Sequence, residues 1–183
     1  MCKWMRLEGA WTKTSTLSIG GPTIRSTVTF SPLDLLGRRA LVRLNGLSVD
    51  VSAMGYCPST YYMSDMVGEV AMTGPKTTEA TAVGYGLRRP TEEEIASGNT
   101  RDQVECIWVG TGLGQFTGPD SAMGTDYLSV YLAEQDQDGN MLPDEGETPV
   151  LCIPLCYEVT RIPMMPPCES TLPPLLPCPY PGQ

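Results

Sequence analysis

The 183-residue chain has no histidine, only two phenylalanines, three tryptophans and three lysines. Each scarcity excludes something. Without histidine there is no Ser–His or Cys–His nucleophile, no His-ligated zinc and no imidazole base at neutral pH. Cationic residues are also few: 12 Lys and Arg face 21 Asp and Glu, for a net charge of −9. A chain this acidic is poorly suited to bind a phosphate backbone, which calls for a basic surface. No apolar run approaches the roughly 18 residues that would suggest a membrane-spanning helix. Few large aromatics are available for a sugar-binding platform, and no pair of carboxylates stands out for glycoside hydrolysis.

The hydrophobic content is nevertheless 41 %, enough to argue against wholesale disorder. The length suits one domain with a real core. Charge and proline are both unevenly spread. Residues 1–89 carry ten basic and six acidic side chains, and residues 90–183 carry two and fifteen. Opposed charge of this kind orients neighbours and suppresses wrong partners. Eight of the 17 prolines fall in 163–183. Proline fixes φ and lacks a donor, so this stretch reads as an extended, partly polyproline II arm. Its apolar residues Met164, Met165, Leu172, Leu175, Leu176 and Tyr180 are candidate partner contacts. The division is therefore a β domain over 1–162 and an arm over 163–183.

Short alternating runs rich in Thr, Val, Ser and Tyr dominate the rest. They predict strands over 12–19, 23–30, 39–44, 47–53, 66–72, 78–85, 104–109, 126–133 and 150–160. In the third, Val42 and Leu44 face opposite to Leu41, Arg43 and Asn45. In the last, Leu151, Ile153, Leu155, Tyr157 and Val159 share a face. The Asn45-Gly46 step is a tight-hairpin signal, because such turns need positive φ. One short helix is predicted at Thr91-Glu92-Glu93-Glu94, with Thr91 and Glu94 forming a capping box and Gly98 ending it. A single helical turn is expected over 31–37. Many short strands, frequent turns and little helix specify an all-β sandwich or barrel of antiparallel strands.

The glycine-rich stretch over 110–118 lacks both the third glycine of a dinucleotide loop and the Gly-Lys pair of a phosphate loop. It reads as an irregular loop. The seven cysteines are Cys2, Cys57, Cys106, Cys152, Cys156, Cys168 and Cys178. Their spacing matches no familiar zinc pattern. With no secretory h-region at the N-terminus, synthesis in the cytosol and buried free thiols are expected. The stretch Phe30-Ser31-Pro32-Leu33-Asp34-Leu35-Leu36-Gly37-Arg38, followed by a strand, is similar over about a dozen residues to a strand-turn-strand segment of contractile-tail hub barrels. The stretch is too short and unspecific to assign a family.

Two constellations carry candidate chemistry. The loop 136–147 places Asp136, Asp138, Asn140, Asp144 and Glu147 at EF-hand ligand spacing, which makes calcium the one cofactor to consider. Met141 stands where that loop needs glycine, and Pro143 interrupts it. Tyr56, Tyr61 and Tyr62 form a cluster suited to partner contact, since the ring buries area while the hydroxyl tolerates water.

These features lead to the expectation of a non-enzymatic structural subunit of a large assembly. By analogy, a bacteriophage or virus particle is the setting: a capsid decoration or cement protein, or a tail or connector component. Its partners would be copies of itself or other subunits, with neither nucleic acid nor membrane contacted directly. The alternative is a calcium-supported β-sandwich acting in binding or adhesion.

Overall fold

The computed structural model describes residues 7–17, 23–45 and 56–163. Among the described residues nine strands carry the fold: β1 (Gly9–Leu17), β2 (Thr23–Pro32), β3 (Arg39–Asn45), β4 (Thr60–Met63), β5 (Met66–Met72), β6 (Thr77–Arg88), β7 (Gln103–Gly118), β8 (Ser121–Leu132) and β9 (Leu151–Arg161). One short helix, α1 (Glu92–Ala96), lies between β6 and β7, and a 3₁₀ turn (Ala133–Gln135) follows β8. Every strand pairing is antiparallel.

The pairings close. Strands β1, β2, β3, β5, β6, β7, β8 and β9 follow one another round the sheet, and β9 returns to β1. The result is an eight-stranded antiparallel barrel with one extra strand. The sandwich considered above is excluded, because two packed sheets would leave open edges and this sheet has none between β1 and β9. Strand β4 pairs with β6 on Arg88, Leu87 and Gly86, while β5 pairs with the same strand from Val83 onward. The two therefore act as one strand broken at Ser64 and Asp65. The break is bridged on both sides, with the Ser64 N–H donating to the Tyr85 carbonyl and the Tyr85 N–H to Ser64 Oγ.

Alternation places the core inside the barrel. Ala40, Val42 and Leu44 of β3, Leu128 and Val130 of β8, and Ile153, Leu155 and Val159 of β9 are all buried, while their sequence neighbours face out. The meander sends the described connections to two ends. Short ones over 33–38, 73–76 and 119–120 lie at one end, and long ones over 89–102 and 133–150 at the other. The two long connections carry ten acidic and two basic residues, so that end of the barrel is strongly negative.

Several expectations hold in detail. The helix forms with the predicted capping box, Thr91 Oγ1 accepting from the Glu94 N–H and the Glu94 carboxylate accepting from the Thr91 N–H. Strand β5 has the predicted bounds. Others are corrected. The glycine-rich stretch 110–118 is the second half of β7, a strand of 16 residues. Its glycines are inward positions where neighbouring side chains need the room. Residues 33–38 form no helical turn. Instead Asp34 accepts three N–H groups, from Leu36, Arg38 and Arg39, which fixes an irregular turn. The predicted strand over 47–53, the turn at Gly46 and the arm residues from Met164 onward lie outside the described residues.

Cysteine chemistry is corrected as well. Cys57 and Cys106 are joined in a disulfide, both fully buried, across a sequence separation of 49. Spacing along the chain cannot reveal this pair, because β4 and β7 flank the same strand, β6, and so bring the segment before β4 near the start of β7. Cys152 and Cys156 are free, as expected, but lie on the outer face of β9 rather than in the core.

Candidate functional site

The barrel interior is incompletely filled. A cavity of about 110 Å³ remains among residues of β1, β2, β3, β5, β6, β7, β8 and β9. Much of its wall is apolar, including Trp11, Val28, Phe30, Val42, Phe116 and Leu128. Trp11 meets Phe30 and Phe116 edge to face, with ring centroids 6.2 and 6.0 Å apart. These three rings pack the end of the barrel that has the short turns.

One side of the cavity is polar. Inward positions on β1 alternate Trp11, Lys13, Ser15, and all three line the space. The Lys13 ammonium pairs with the Asp126 carboxylate of β8, with both side chains mostly buried. It also lies over the Tyr157 ring of β9 at 4.4 Å from the centroid. Burial first, and the negative charge of Asp126 second, push the Tyr157 phenol well above its ordinary range, so it stays neutral. On residues that line the cavity, Trp11 Nε1 and Ser15 Oγ are buried donors with no partner among the described residues.

Glycines make this arrangement sterically possible. A Cβ at Gly112 would stand 2.3 Å from Asp126 Oδ1, and one at Gly124 would stand 2.7 Å from the Tyr157 hydroxyl. The stretch that reads as a loop in sequence is therefore the backbone floor beneath the polar side chains.

The predicted calcium loop is only partly assembled. Asp136, Asp138 and Asp144 bring one carboxylate oxygen each to within 4.8 Å of the others. That spread suits one ion with oxygen ligands at about 2.4 Å. Asp136 Oδ1 is buried with no partner among the described residues. Asn140 and Glu147 are engaged elsewhere: Asn140 Oδ1 accepts from the Leu142 N–H, and the Glu147 carboxylate accepts from Gln135 Nε2. Met141 adopts positive φ, at 67°, in the turn where an EF-hand has glycine nearby.

The tyrosines separate. Tyr56 packs against the core, whereas Tyr61 and Tyr62 on β4 are about half exposed. Tyr61 donates its hydroxyl to the Asp102 carboxylate, which raises its pKa, and carries Arg89 over its ring at 5.1 Å. The predicted apolar arm residues Met164, Met165, Leu172, Leu175, Leu176 and Tyr180 lie outside the described residues. Sequence reasoning missed Lys13, Ser15, Asp126 and Tyr157 as a group, because they come from three strands far apart in the chain. The signal available was a lysine flanked at i±2 by Trp and Ser on an alternating strand.

No protein family and no curated protein matches this chain. Two solved structures resemble it in backbone outline at 15 % identity. One is a redesigned beta barrel, with TM-score 0.46, covering 86 % of this chain and 92 % of that one. The other is EF1p2_mFAP2b bound to DFHBI, with TM-score 0.48, covering 85 % and 94 %.

Proposed function

We propose that this domain is a non-enzymatic β-barrel that holds a small, mainly apolar molecule in its interior. The observation that carries this reading is the cavity itself: an unfilled space inside a closed barrel, apolar on most sides and polar on one. Eight-stranded barrels are wide enough either to fill with side chains or to hold one small ligand. The absence of histidine supports binding rather than turnover. The test is extraction of natively purified protein with organic solvent, followed by mass spectrometry of the extract. A stoichiometric small molecule is expected. An empty extract, together with a melting temperature indifferent to small apolar compounds, would remove the reading.

A second reading is favoured by a different observation. Leu33, Leu35 and Leu36 are 50, 105 and 65 % exposed on a turn that Asp34 holds rigid. An ordered apolar tip supports a structural subunit of an assembly, docking on copies of itself or on other subunits, with a virus or bacteriophage particle as the setting. A buried disulfide is compatible with the oxidising surroundings of a virion surface. Sedimentation from the native source decides: transport with a megadalton particle supports the subunit, and a free species near the chain's own 19.8 kDa removes it. Calcium fits either reading as an accessory ion held by Asp136, Asp138 and Asp144. Calorimetric titration with calcium should give heat that Asp138→Ala abolishes, and a flat trace dismisses the ion.

A further inference from the structure

The outer face of the barrel is not uniform. On β2, β3 and β5 it carries Arg25, Arg39, Arg43 and Glu69. Over residues 109–117 of β7, 123–131 of β8 and 152–160 of β9 the outward side chains include a single charge, Glu158. Leu113, Tyr127 and Met123 stand there instead, 57, 51 and 47 % exposed. The strand register sets Leu113 beside Thr125, Thr125 beside Cys156, and Tyr127 beside Pro154. A groove of about 740 Å³ follows this face, with Thr16, Leu113, Met123 and Cys156 in its lining. An exposed apolar face this free of charge marks a surface that something covers. Cys156 adds a free, exposed thiol to it.

The chain supplies a matching segment. Residues 164–183 hold Met164, Met165, Leu172, Leu175, Leu176 and Tyr180 but one charged side chain, Glu169. Proline presets φ, which lowers the entropy cost of docking such a segment. Reach identifies the thiol it meets. Cys156 lies five residues before Arg161, about 17 Å back along β9. Cys168 lies seven residues after Arg161, a span of about 22 Å in polyproline II form. The return path is therefore covered with a few residues' slack for the reversal, and a disulfide leaves its Cα atoms about 4.4–6.8 Å apart. Cys152, nine residues back at about 30 Å, lies beyond Cys168 once the chain has turned. We propose that residues 164–183 fold back over the outer face of β7, β8 and β9 of their own barrel, held by a disulfide between Cys156 and Cys168. The buried Cys57–Cys106 pair fits the oxidising conditions this bond requires. In its formation one cysteine thiolate attacks a small disulfide such as oxidised glutathione and releases one glutathione thiol. The other cysteine thiolate then displaces the second glutathione, so two electrons and two protons pass from the cysteine pair to the oxidant.

The full chain, oxidised with glutathione disulfide, tests this by peptide mass mapping without reductant. Cleavage after Glu158 and Glu169 puts Cys156 and Cys168 on separate peptides. A Cys156–Cys168 link is expected, with the mass of two hydrogens lost beyond the Cys57–Cys106 bond. It should persist in Cys152→Ser and Cys178→Ser and vanish in Cys156→Ser, an exposed position where a retained Cys57–Cys106 link reports folding. A mixture of isotopically light and heavy chains, oxidised together, should give only light–light and heavy–heavy links. A second measurement reads the docking itself. Met123 and Val67 are 47 and 45 % exposed on the outer faces of β8 and β5. A soluble paramagnetic agent should broaden the Met123 methyl several-fold less than those of Val67. Equal broadening would overturn the fold-back. So would a Cys168 linked to Cys152 or Cys178, or a Cys156 left as a glutathione adduct. A light–heavy link would give the face to a second copy and overturn it as well.

Discussion

Arg161 lies over the Trp11 ring. The β1–β9 register sets the two residues directly opposite each other, so they share a face, and the guanidinium carbon stands 4.4 Å from the indole centroid. The same guanidinium donates to the Glu8 carbonyl and pairs with Asp120 at 2.9 Å. One side chain thus ties the closing seam of the barrel, the segment leading into β1 and the β7–β8 turn together. Gly9 is part of this contact: its φ is +113°, and a Cβ there would stand 2.8 Å from Arg161 Nη1.

Arg161→Met should therefore cost about 2 kcal/mol, summing a cation–π contact and a hydrogen bond from a charged donor. Urea unfolding with an unchanged m-value measures it. Arg161→Lys should recover only part, because an ammonium cannot cover the ring and reach two acceptors at once. A loss well under about 0.5 kcal/mol, the level of an ordinary exposed ion pair, would show the contact to be incidental.

The disulfide between Cys57 and Cys106 closes a loop of 49 residues in the unfolded chain. By the loop-entropy relation its removal should cost about 4 kcal/mol. Paired Cys57→Ala and Cys106→Ala substitutions, compared with the oxidised protein in denaturant, test this. Because both residues are buried, reductant should act on the native barrel only slowly, at the rate at which this region opens.

Lys13 and Asp126 should be harmful to separate. Lys13→Met leaves a mostly buried carboxylate without its cation, and Asp126→Asn leaves the ammonium, each costing about 3 kcal/mol. The double variant Lys13→Met with Asp126→Leu should lie much nearer the wild type. A double-mutant cycle in thermal unfolding reads this directly, and additive losses would mean the two charges are solvated independently.

Glu94 sets an acid limit on α1. Two hydrogen bonds from the Arg88 guanidinium, and then the Thr91 N–H, depress its pKa to about 2. A depressed carboxylate contributes stability above its unfolded value, near 4.3, and loses it as pH falls through the folded value. The helix should hold to about pH 4 and fray between there and pH 2, seen as loss of amide protection at Ile95 and Ser97. Glu94→Gln should bring that fraying to neutral pH and remove the acid transition.

Much of the secondary structure is legible in the chain. Alternation at Ala40, Val42 and Leu44 and along β9 follows from a pleat that turns successive side chains to opposite faces, which needs no knowledge of neighbours. The capping box of α1 is equally local, since Thr91 and Glu94 satisfy each other's backbone within one turn. Asp136, Asp138 and Asp144 converge because short loops keep ligand spacing. Tertiary structure decided the rest. Glycines at 112 and 114 look like loop residues because a sequence does not display the Asp126 carboxylate and Tyr157 ring that occupy the space above them. Cys57 finds Cys106 because β4 and β7 both pair with β6, far from one another in the chain. The choice of barrel over sandwich rests on β9 returning to β1, a pairing between the first and last strands that no local periodicity encodes. That closure also creates the cavity, and with it the meeting of Trp11, Lys13, Ser15, Asp126 and Tyr157 from three strands.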